Sequence, residues 1–515
     1  MKELMLKINT RHPLNNAQGF TIVELLIVIV VIGILASITI VAFSGVQQKA
    51  GIALLKSDLS SASRQLEVAK VNNNDVYPST TTAIKKADST TYQYTYNSGT
   101  NYYCLTATSP NVQNDSYYID SNTLIVQQGL CTGHVLPGAP VTGWKYVSAG
   151  SNAATCGIAS NDKVYCWGFN YNGRFGNGTS TNSLLPTPTD SSGVLAGKVI
   201  TGLELGPSST CAYTSNQVFC WGGGSLGNGV AGSSLVPVAT TMSGVLSGKT
   251  IQSVALSQNF ACSIASDSKE YCWGGSNYKN FMTSTGSPSS STVPVAWDIS
   301  SVFGANPIQA VNAYANTKCV VVAGLAYCWG YASYGELGNG TTSMSTSVPQ
   351  AVVTTGVLSG KTVTKISTGG SNTCAIASGA AYCWGYGRND DLGDGLDTDS
   401  NVPVAVSTAG VLSGKTLTDI STGSNSTCAL ATDKKVYCWG NQAYGRLGNS
   451  YGATSGLPVA VTMPGLLATQ LSSGDTHSCM LTTTNQIYCW GLNSSGQLGD
   501  GSSADRSAPV LVSLP

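Results

Sequence analysis

The chain has 515 residues, of which 42% are hydrophobic and only 10% charged, and its formal net charge is zero. This length predicts two or more domains, and the hydrophobic fraction excludes general disorder. Because the charges balance, the chain has no net charge to attract nucleic acid, which we therefore do not expect as a partner. The 59 glycines favour a turn-rich, mainly β chain, and the 16 cysteines indicate disulfides formed in an oxidising compartment.

The first segment is a short, polar and weakly basic leader that ends at Gly19. From Phe20 to Phe43 the sequence is apolar, and Glu24 is its single charged residue. An apolar run of about 20 residues can span a bilayer as a helix, so a plain membrane anchor or a signal peptide is one interpretation. A signal peptide, however, is cleaved after its apolar core, whereas the polar leader here precedes the core.

The run Gly-Phe-Thr-Ile-Val-Glu-Leu-Leu-Ile-Val that starts at Gly19 resembles the processing motif of type IV pilins and type II secretion pseudopilins. The resemblance implies cleavage of the leader (1–19) by a prepilin peptidase after Gly19 and N-methylation of Phe20. It implies that residues 20–43 form a transmembrane and filament-core helix, in which Glu24 pairs with the amino group of a neighbouring pilin subunit during assembly. We therefore expect a single-pass protein of the cytoplasmic membrane with its bulk extracytoplasmic, on a pilus or the cell surface after assembly.

Residues 44–133 are predicted to form a small α+β domain of the pilin kind. Apolar residues recur at helical spacing from Ile52 to Ala69, with charged residues between them, and alternating strand patterns follow. Cys104 and Cys131 stand apart from the other cysteines, and the pilin resemblance implies a Cys104–Cys131 disulfide. The Gly- and Pro-containing residues 134–140 predict a linker.

Residues 141–515 contain seven copies of an aromatic residue followed by Cys-Trp-Gly, at intervals of 51 to 56 residues, which is typical of a repeat array or a propeller. Another cysteine lies nine or ten residues before each of these, with a turn-forming sequence between them, as in a β-hairpin. Facing cysteines in a hairpin lie at disulfide distance, whereas zinc sites use clustered pairs that this sequence lacks. We therefore predict the disulfides Cys156–Cys166, Cys211–Cys220, Cys262–Cys272, Cys319–Cys328, Cys374–Cys383, Cys428–Cys438 and Cys479–Cys489.

Gly-rich turns such as residues 334–340 and Pro-Val strands such as residues 402–406 follow the Trp-Gly pairs. Together these residues resemble the repeats of the regulator of chromosome condensation family. The two resemblances together imply a mainly β fold, a seven-bladed β-propeller preceded by a long N-terminal α-helix and a small α+β pilin-like domain. The repeat resemblance also leads us to expect that the strand at 508–512 completes the blade that begins near Trp144. The third repeat departs from the pattern at residues 279–283, where we expect an irregular loop.

Few polar residues are candidates for binding or catalysis. Gly-Val-Leu-x-Gly-Lys connectors place lysines at equivalent positions, either as a positive face or, more simply, as solvated residues; these are Lys198, Lys249, Lys361 and Lys415. His477 lies where the repeat family commonly has a histidine, which implies a structural role. A nucleophile, a base and an orienting group do not occur together, so we predict that the chain is not an enzyme.

Calcium is the single cofactor that the sequence suggests, and only weakly, because hard cations take several oxygen ligands. The candidate ligands are Asp390, Asp391, Asp397 and Asp399. No other metal or cofactor is expected.

The leading hypothesis is a minor pilin-like surface protein whose propeller binds an extracellular protein or glycan in adhesion. Its expected partners are prepilin peptidase, other pilin subunits, the membrane and that unidentified ligand. An alternative is a pseudopilin-like structural component of a type II secretion or DNA-uptake system, with the propeller as its cap. A weaker alternative is an enzyme with an active site in the propeller channel.

Overall fold

The computed structural model describes residues 49–85, 90–109, 116–128, 131, 141–258, 260–275, 290–296, 300–304, 306–314, 317–342, 345–450 and 452–515. Gly19, Phe20 and Glu24 lie outside these residues, as do the rest of the predicted leader and residues 20–43. The predicted linker at 134–140 and the irregular loop expected at 279–283 also fall outside them. The chain divides into two units, Met1–Pro137 and Gly138–Pro515.

Helices are few in the described ranges, and neither is long and apolar enough to cross a bilayer. Helix α1 covers residues 49–71, where Lys56, Asp58, Arg64 and Glu67 interrupt the apolar residues, and hydrocarbon does not tolerate such a density of charge. Helix α2 is the short segment Ser300–Phe303. On this finding the predicted localisation, a single-pass protein of the cytoplasmic membrane, is wrong.

In the first unit, α1 packs on a four-stranded antiparallel sheet in the order β1-β2-β3-β4. The buried face of the helix repeats every three to four residues and consists of Leu55, Leu59, Ala62 and Leu66. These side chains pack against Tyr103 and Leu105 of the sheet. The elements of the unit after α1 are a 3-10 turn (Thr81–Ala83), β1 (Thr91–Asn97), β2 (Tyr102–Thr108), β3 (Tyr117–Asp120) and β4 (Gln127–Gln128).

The second unit consists of seven four-stranded antiparallel sheets, each formed by four consecutive strands, as in a propeller. Sheet 1 comprises β5 (Trp144–Gly150), β6 (Ala154–Ala159), β7 (Val164–Gly168) and β8 (Ser183–Pro188); sheet 2, β9 (Gly202–Leu205), β10 (Ser209–Thr214), β11 (Gln217–Gly222) and β12 (Ser234–Ala239); and sheet 3, β13 (Ile251–Leu256), β14 (Phe260–Ala265), β15 (Glu270–Gly275) and β16 (Ser290–Ala296).

The remaining sheets repeat this arrangement. Sheet 4 comprises β17 (Ile308–Tyr314), β18 (Thr317–Val322), β19 (Leu325–Tyr331) and β20 (Ser345–Ala351); sheet 5, β21 (Val363–Thr368), β22 (Asn372–Ala377), β23 (Ala380–Gly385) and β24 (Ser400–Ala405); sheet 6, β25 (Leu417–Thr422), β26 (Ser426–Ala431), β27 (Val436–Gly440) and β28 (Ser455–Ala460); and sheet 7, β29 (Ala468–Ser473), β30 (His477–Thr482), β31 (Ile487–Gly491) and β32 (Arg506–Leu511). Short 3-10 turns between strands cover Tyr171–Gly173, Gly356–Leu358, Gly410–Leu412 and Ala443–Gly445.

All sixteen cysteines form disulfides. In each of the seven sheets, the second and third strands place two cysteines opposite each other, and the Cα atoms of each pair lie 4.0 to 4.2 Å apart. These pairs are Cys156–Cys166, Cys211–Cys220, Cys262–Cys272, Cys319–Cys328, Cys374–Cys383, Cys428–Cys438 and Cys479–Cys489. The remaining bond, Cys104–Cys131, connects β2 of the first unit to a residue beyond β4.

The tryptophan of each Cys-Trp-Gly motif fills the space between neighbouring sheets. Trp221 is fully buried, and its Nε1 donates a hydrogen bond to the carbonyl of Arg174, in the Gly-rich turn of the preceding sheet, at 2.7 Å. The same bond runs from Trp384 to the carbonyl of Glu336 at 2.8 Å. Where this bond forms, the tryptophan anchors the preceding turn to its own sheet as well as filling the core.

Sheets 7 and 1 are neighbours, which closes the array into a ring. The side chain of Gln470 in β29 accepts a hydrogen bond from the Val147 amide at 3.1 Å and donates one to the Val147 carbonyl at 3.0 Å. Trp167 donates to the carbonyl of Gln497 at 2.9 Å.

Strand β32 pairs with β31 within sheet 7, so the expectation that residues 508–512 complete the first blade is wrong. Sheet 1 obtains all four strands from its own repeat. Closure depends on these side-chain bonds and on a backbone hydrogen bond from the Trp144 amide to the Asn485 carbonyl at 2.7 Å.

Candidate binding surface

The loops of the seven sheets lie on two opposite sides of the ring because successive strands alternate in direction. We define the turn side as the side that carries the hairpins between first and second strands and the Gly-rich turns after the third strands. The connector side carries the hairpins between second and third strands and the connectors to the next sheet. Loops on a rigid scaffold are the usual location of binding residues.

Exposed aromatic rings are a feature of the turn side. Tyr171, Tyr334 and Tyr444 lie in the Gly-rich turns of sheets 1, 4 and 6, and they are 54%, 41% and 51% exposed. Tyr171 stacks on Phe169 with an interplanar angle of 2°, and Tyr334 packs edge to face against Tyr386 with ring centroids 5.0 Å apart. Rings that are both exposed and held in place lose little entropy on binding, which suits them to recognition of a protein surface.

Hydrogen bonds between hairpins of different sheets cover the centre of the turn side. The hydroxyl of Tyr314 in sheet 4 lies 3.3 Å from Ser424 Oγ, which donates to Asp475 Oδ1 at 3.0 Å. Asp475 Oδ2 accepts a hydrogen bond from the Asn152 amide at 2.9 Å. Burial raises the pKa of Asp475. This chain of contacts joins sheets 4, 6, 7 and 1 and fixes the hairpins relative to one another.

Arg174 supports the turn side from below. Its fully buried guanidinium donates hydrogen bonds to the carbonyls of Ser151, Asn152, Phe169 and Pro207, at 2.7 to 3.1 Å. Burial lowers the pKa of Arg174 to about 10, which still leaves the side chain charged at neutral pH. The planar donor set of arginine suits such multiple bonding, and it holds the hairpins of sheets 1 and 2 under Tyr171.

Glycines bring the first strands, which surround the central channel, into backbone contact near the turn side. A Cβ atom added to Gly369 would lie 2.2 Å from the carbonyl oxygen of Gly423, and one added to Gly423 would lie 2.3 Å from that of Gly474. A Cβ atom on Gly474 would likewise lie 2.2 Å from the Gly150 carbonyl oxygen. No side chain fits at these positions, so the channel is narrow at this end.

Polar side chains occupy the channel further from the turn side. Glu204 lies opposite Cys211 in the register of sheet 2, and burial raises its pKa to about 7. Lys365 Nζ lies 3.7 Å from Asp419 Oδ1, and burial raises the pKa of Asp419. The channel therefore contains carboxyl groups that resist ionisation.

Three of the four connector lysines have acidic or aromatic neighbours. Lys415 Nζ lies 2.7 Å from Asp433 and Lys249 Nζ lies 3.8 Å from Asp267, both in hairpins of the connector side. Lys361 lies over the ring of Tyr382 at 5.9 Å from its centroid, and Lys198 is exposed. The ion pairs reduce the positive charge that the regular spacing of these lysines suggests.

The four aspartates proposed for calcium lie in the turn of sheet 5, where Asp397 and Asp399 bond to separate backbone amides. Asp397 accepts from the Asn389 amide at 2.7 Å, and Asp399 accepts from the Gly387 amide at 3.1 Å. Asp391 is buried, which raises its pKa to about 8, and Asp390 lies beside it. These carboxylates organise the turn. In the described ranges, the potential metal ligands that come within 4.8 Å of one another are instead Cys262, Glu270 and Cys272, of which the cysteines are disulfide-bonded.

His477 is buried between sheets 7 and 1, with Nε2 2.8 Å from Thr155 Oγ1. Burial, with a smaller contribution from the charge of Arg174, lowers the pKa of His477 to about 3. The imidazole is therefore neutral at physiological pH and serves as a hydrogen-bonding group between two sheets.

Models of the regulator of chromosome condensation (RCC1) repeat match residues 144–174, 161–213, 323–376, 378–430, 417–446, 433–481, 468–497 and 484–515. The ultraviolet-B receptor UVR8 of Arabidopsis thaliana is 30% identical over 374 residues, which are 71% of this chain and 81% of the receptor. This chain belongs to the RCC1-repeat family. Residues 14–40 separately match the prokaryotic N-terminal methylation motif.

Other relatives share the repeats within different proteins. The human E3 ubiquitin-protein ligase HERC2 is 26% identical over 366 residues, which are 70% of this chain and only 7% of HERC2. Among solved structures, human WBSCR16 superposes with a TM-score of 0.59 at 19% identity, covering 69% of this chain and 95% of that protein. Yeast RCC1 (Prp20), in its complex with Kap60, superposes with a TM-score of 0.57 at 16% identity, covering 72% of this chain and 85% of that protein. These structures share the fold.

One site in the RCC1 repeats was missed by the sequence analysis, although the sequence contains its signal. Lys318 of β18 stands where most other repeats have threonine, and Glu270 of β15 stands where the others have an aliphatic residue. Lys318 Nζ lies 2.7 Å from Glu270 Oε2, and the two side chains are 1% and 0% exposed. A position-by-position comparison of the repeats would have identified Lys318 and Glu270 as exceptions. The number of charged residues in the sequence could not show that these two are buried together.

Proposed function

We propose that this RCC1-repeat chain is a non-catalytic binding protein whose seven sheets form the blades of a closed seven-bladed propeller and whose turn side binds a protein partner in adhesion. The observation that carries the proposal is the set of exposed tyrosines Tyr171, Tyr334 and Tyr444 in Gly-rich turns, the first two of which pack against a neighbouring ring. Tyrosine supplies a large contact area at a low entropic cost, and the surrounding Asn, Ser and Gly residues supply adaptable hydrogen bonding. This composition favours a protein ligand over a glycan.

The scaffold supports this role. Disulfides, inter-sheet tryptophans and Arg174 hold the turns in one arrangement, so little ordering cost remains when a partner binds. Some RCC1-repeat relatives also bind proteins, as the complex of yeast RCC1 with Kap60 illustrates for that protein. On the connector side, by contrast, the paired lysines offer fewer free groups to a partner.

Photo-crosslinking in the host organism tests which side binds. Benzoylphenylalanine is introduced in place of Tyr171, Tyr334 or Tyr444 in the full chain, and in place of Lys198 or Lys361 as matched controls on the connector side. We expect protein adducts from the turn-side positions alone, identified by mass spectrometry. Adducts from the control positions alone, or adducts that contain only glycan, would contradict the proposal.

The affinity for the captured protein then gives the size of the effect. Tyr171→Ala, Tyr334→Ala and Tyr444→Ala are each expected to weaken binding about tenfold or more, a loss of about 1.4 kcal/mol, because tyrosine is enriched among the few residues that carry most of the binding energy of an interface. The Lys198→Ala and Lys361→Ala controls should bind as the wild type does. Equal affinities in all five variants would exclude the turn side as the interface.

We further propose that the N-terminal segment is processed as in pilins, so that the chain becomes a minor filament subunit that presents the propeller. The match of residues 14–40 to the methylation motif supports this proposal. Intact mass and N-terminal sequencing of the protein from its host should show a mature chain that starts at N-methylated Phe20. A Gly19→Leu variant should keep its leader because the peptidase motif then lacks its small residue. A wild-type chain that keeps the leader would refute the assignment.

A further inference from the structure

At the seam between sheets 3 and 4, the residue that lies next to a disulfide differs from those at the other seams. In sheets 6 and 7, the residue before the first cysteine faces the disulfide of the preceding sheet. Thr427 Oγ1 lies 3.7 Å from Cys374 Sγ, and Ser478 Oγ lies 3.8 Å from Cys428 Sγ. At the seam between sheets 3 and 4 this position is Lys318, so a potentially charged amine replaces a neutral hydroxyl.

The amine lies closer to the sulfurs than the hydroxyls do. Lys318 Nζ is 3.0 Å from Cys262 Sγ and 3.4 Å from Cys272 Sγ, and it also contacts Glu270 at 2.7 Å. The ring of Trp329 lies 5.1 Å away and that of Phe260 5.6 Å away. Water is excluded from this site, so the attraction between an ammonium group and a thiolate would be stronger than on the surface.

We propose that Cys262–Cys272 is the redox-sensitive bond of this propeller, reduced by a dithiol ahead of the six equivalent disulfides because Lys318 stabilises the thiolate that leaves. A thiolate of the dithiol attacks one sulfur, the S–S bond breaks, and its electron pair remains on the other sulfur beside Lys318. The second thiol of the reductant then attacks the reductant's own sulfur in the mixed disulfide and releases the second protein cysteine as a thiol. The dithiol is oxidised to a disulfide, and the protein gains two thiols.

The expected order follows from the chemistry of the leaving group. A cysteine beside a lysine has a lowered thiol pKa, and a leaving thiol of lower pKa leaves faster. Glu270 opposes this effect, because its carboxylate lies within 4.8 Å of both sulfurs, but the amine is nearer to them. The cysteines of all seven sheet disulfides are similarly buried, so access to the reductant does not by itself distinguish them. Lys318 comes from sheet 4, so reduction in sheet 3 would alter the contact between the two sheets.

The test is timed reduction of the full-length protein with dithiothreitol, followed by alkylation and peptide mass spectrometry. The double variant Lys318→Thr/Glu270→Val places the residues of the other repeats at both positions and keeps the seam neutral. In the wild type, Cys262–Cys272 should be reduced at least about fivefold faster than the median of the other six sheet disulfides. In the double variant, its rate should fall into the range of the other six.

Lys318→Arg gives an independent measurement, since arginine keeps its positive charge even when buried. Cys262–Cys272 should then still be reduced ahead of the other six sheet disulfides, whose rates should be unchanged. The proposal is overturned if this disulfide is not the first reduced in the wild type, if its advantage persists in the double variant, or if the advantage is lost in Lys318→Arg.

Discussion

The Lys318→Met variant is expected to lose about 3 to 5 kcal/mol of unfolding free energy at pH 7, because it leaves Glu270 buried without its partner. In the wild type, burial raises the pKa of Glu270 and lowers that of Lys318, and the charge of each residue opposes the shift of the other. Methionine has a similar length and no charge, so the change removes the ion pair with little change in packing volume. Urea unfolding followed by tryptophan fluorescence measures the loss.

The pH dependence of this variant identifies the cause. Without Lys318, the pKa of Glu270 in the folded state lies further above its unfolded value of about 4.3. The unfolded chain then loses the carboxyl proton at a lower pH than the folded chain does. Stability should therefore fall by about 1.4 kcal/mol for each pH unit above the unfolded pKa, until the folded pKa is reached. The variant should thus be closer to the wild type at pH 5 than at pH 7.

A control variant separates the unpaired carboxyl group from a general disturbance of the seam. Lys318→Met/Glu270→Leu replaces both partners by apolar residues, and such replacement of a buried pair is often neutral or stabilising. It should recover most of the lost stability at pH 7. A double variant as unstable as Lys318→Met, or a single variant whose loss is the same at pH 5 and pH 7, would rule out the unpaired carboxyl group as the cause.

Trp384→Ala is expected to destabilise the propeller by about 3 to 5 kcal/mol, the range for removal of a fully buried aromatic side chain. The change leaves a cavity between sheets 4 and 5 and removes the hydrogen bond from Trp384 to the carbonyl of Glu336. Thr373 Oγ1 also donates to this carbonyl at 3.0 Å and would remain. Urea unfolding again gives the difference in free energy.

Tyr334→Ala is the matched control. Tyr334 lies in the same Gly-rich turn as Glu336, whose carbonyl Trp384 contacts, but the Tyr334 side chain is 41% exposed. It should change stability by no more than about 0.5 kcal/mol. Trp384→Phe should fall between the two, since it keeps most of the apolar volume and loses the hydrogen bond. Equal losses for Trp384→Ala and Tyr334→Ala would show that burial against the preceding turn does not stabilise this seam.

The repeat architecture could be predicted because the period and the cysteine spacing are local. Cys156 and Cys166 lie on adjacent strands of one hairpin, so nine or ten residues are enough to place them opposite each other. The strand at which one sheet ends and the next begins could not be predicted in the same way. A periodic sequence can be divided into sheets at any strand, and its period does not show which division the chain adopts. The expectation for residues 508–512 was therefore wrong although the period was identified.

Other features depend on contacts that the sequence does not specify. Gly423 and Gly474 occur in a glycine-rich chain, and only the approach of neighbouring first strands shows that they exclude side chains from the channel. Tyr437 lies within a Cys-Trp-Gly motif and Tyr171 in the turn that follows one, but only the structure shows that the ring of Tyr171 is exposed. The candidate binding surface therefore required the three-dimensional arrangement of the turns.

The composition of each sheet from four consecutive strands has a consequence for chain order. No strand is exchanged between the first and last sheets. The seam between them is held by contacts like those elsewhere, including the side-chain bond from Trp167 to the Gln497 carbonyl and the backbone bond from Trp144 to Asn485. A circular permutant of residues 141–515, opened in any connector and joined between the two original ends, would keep every sheet whole. Such molecules would allow a fusion partner to be attached at any chosen angle around the ring.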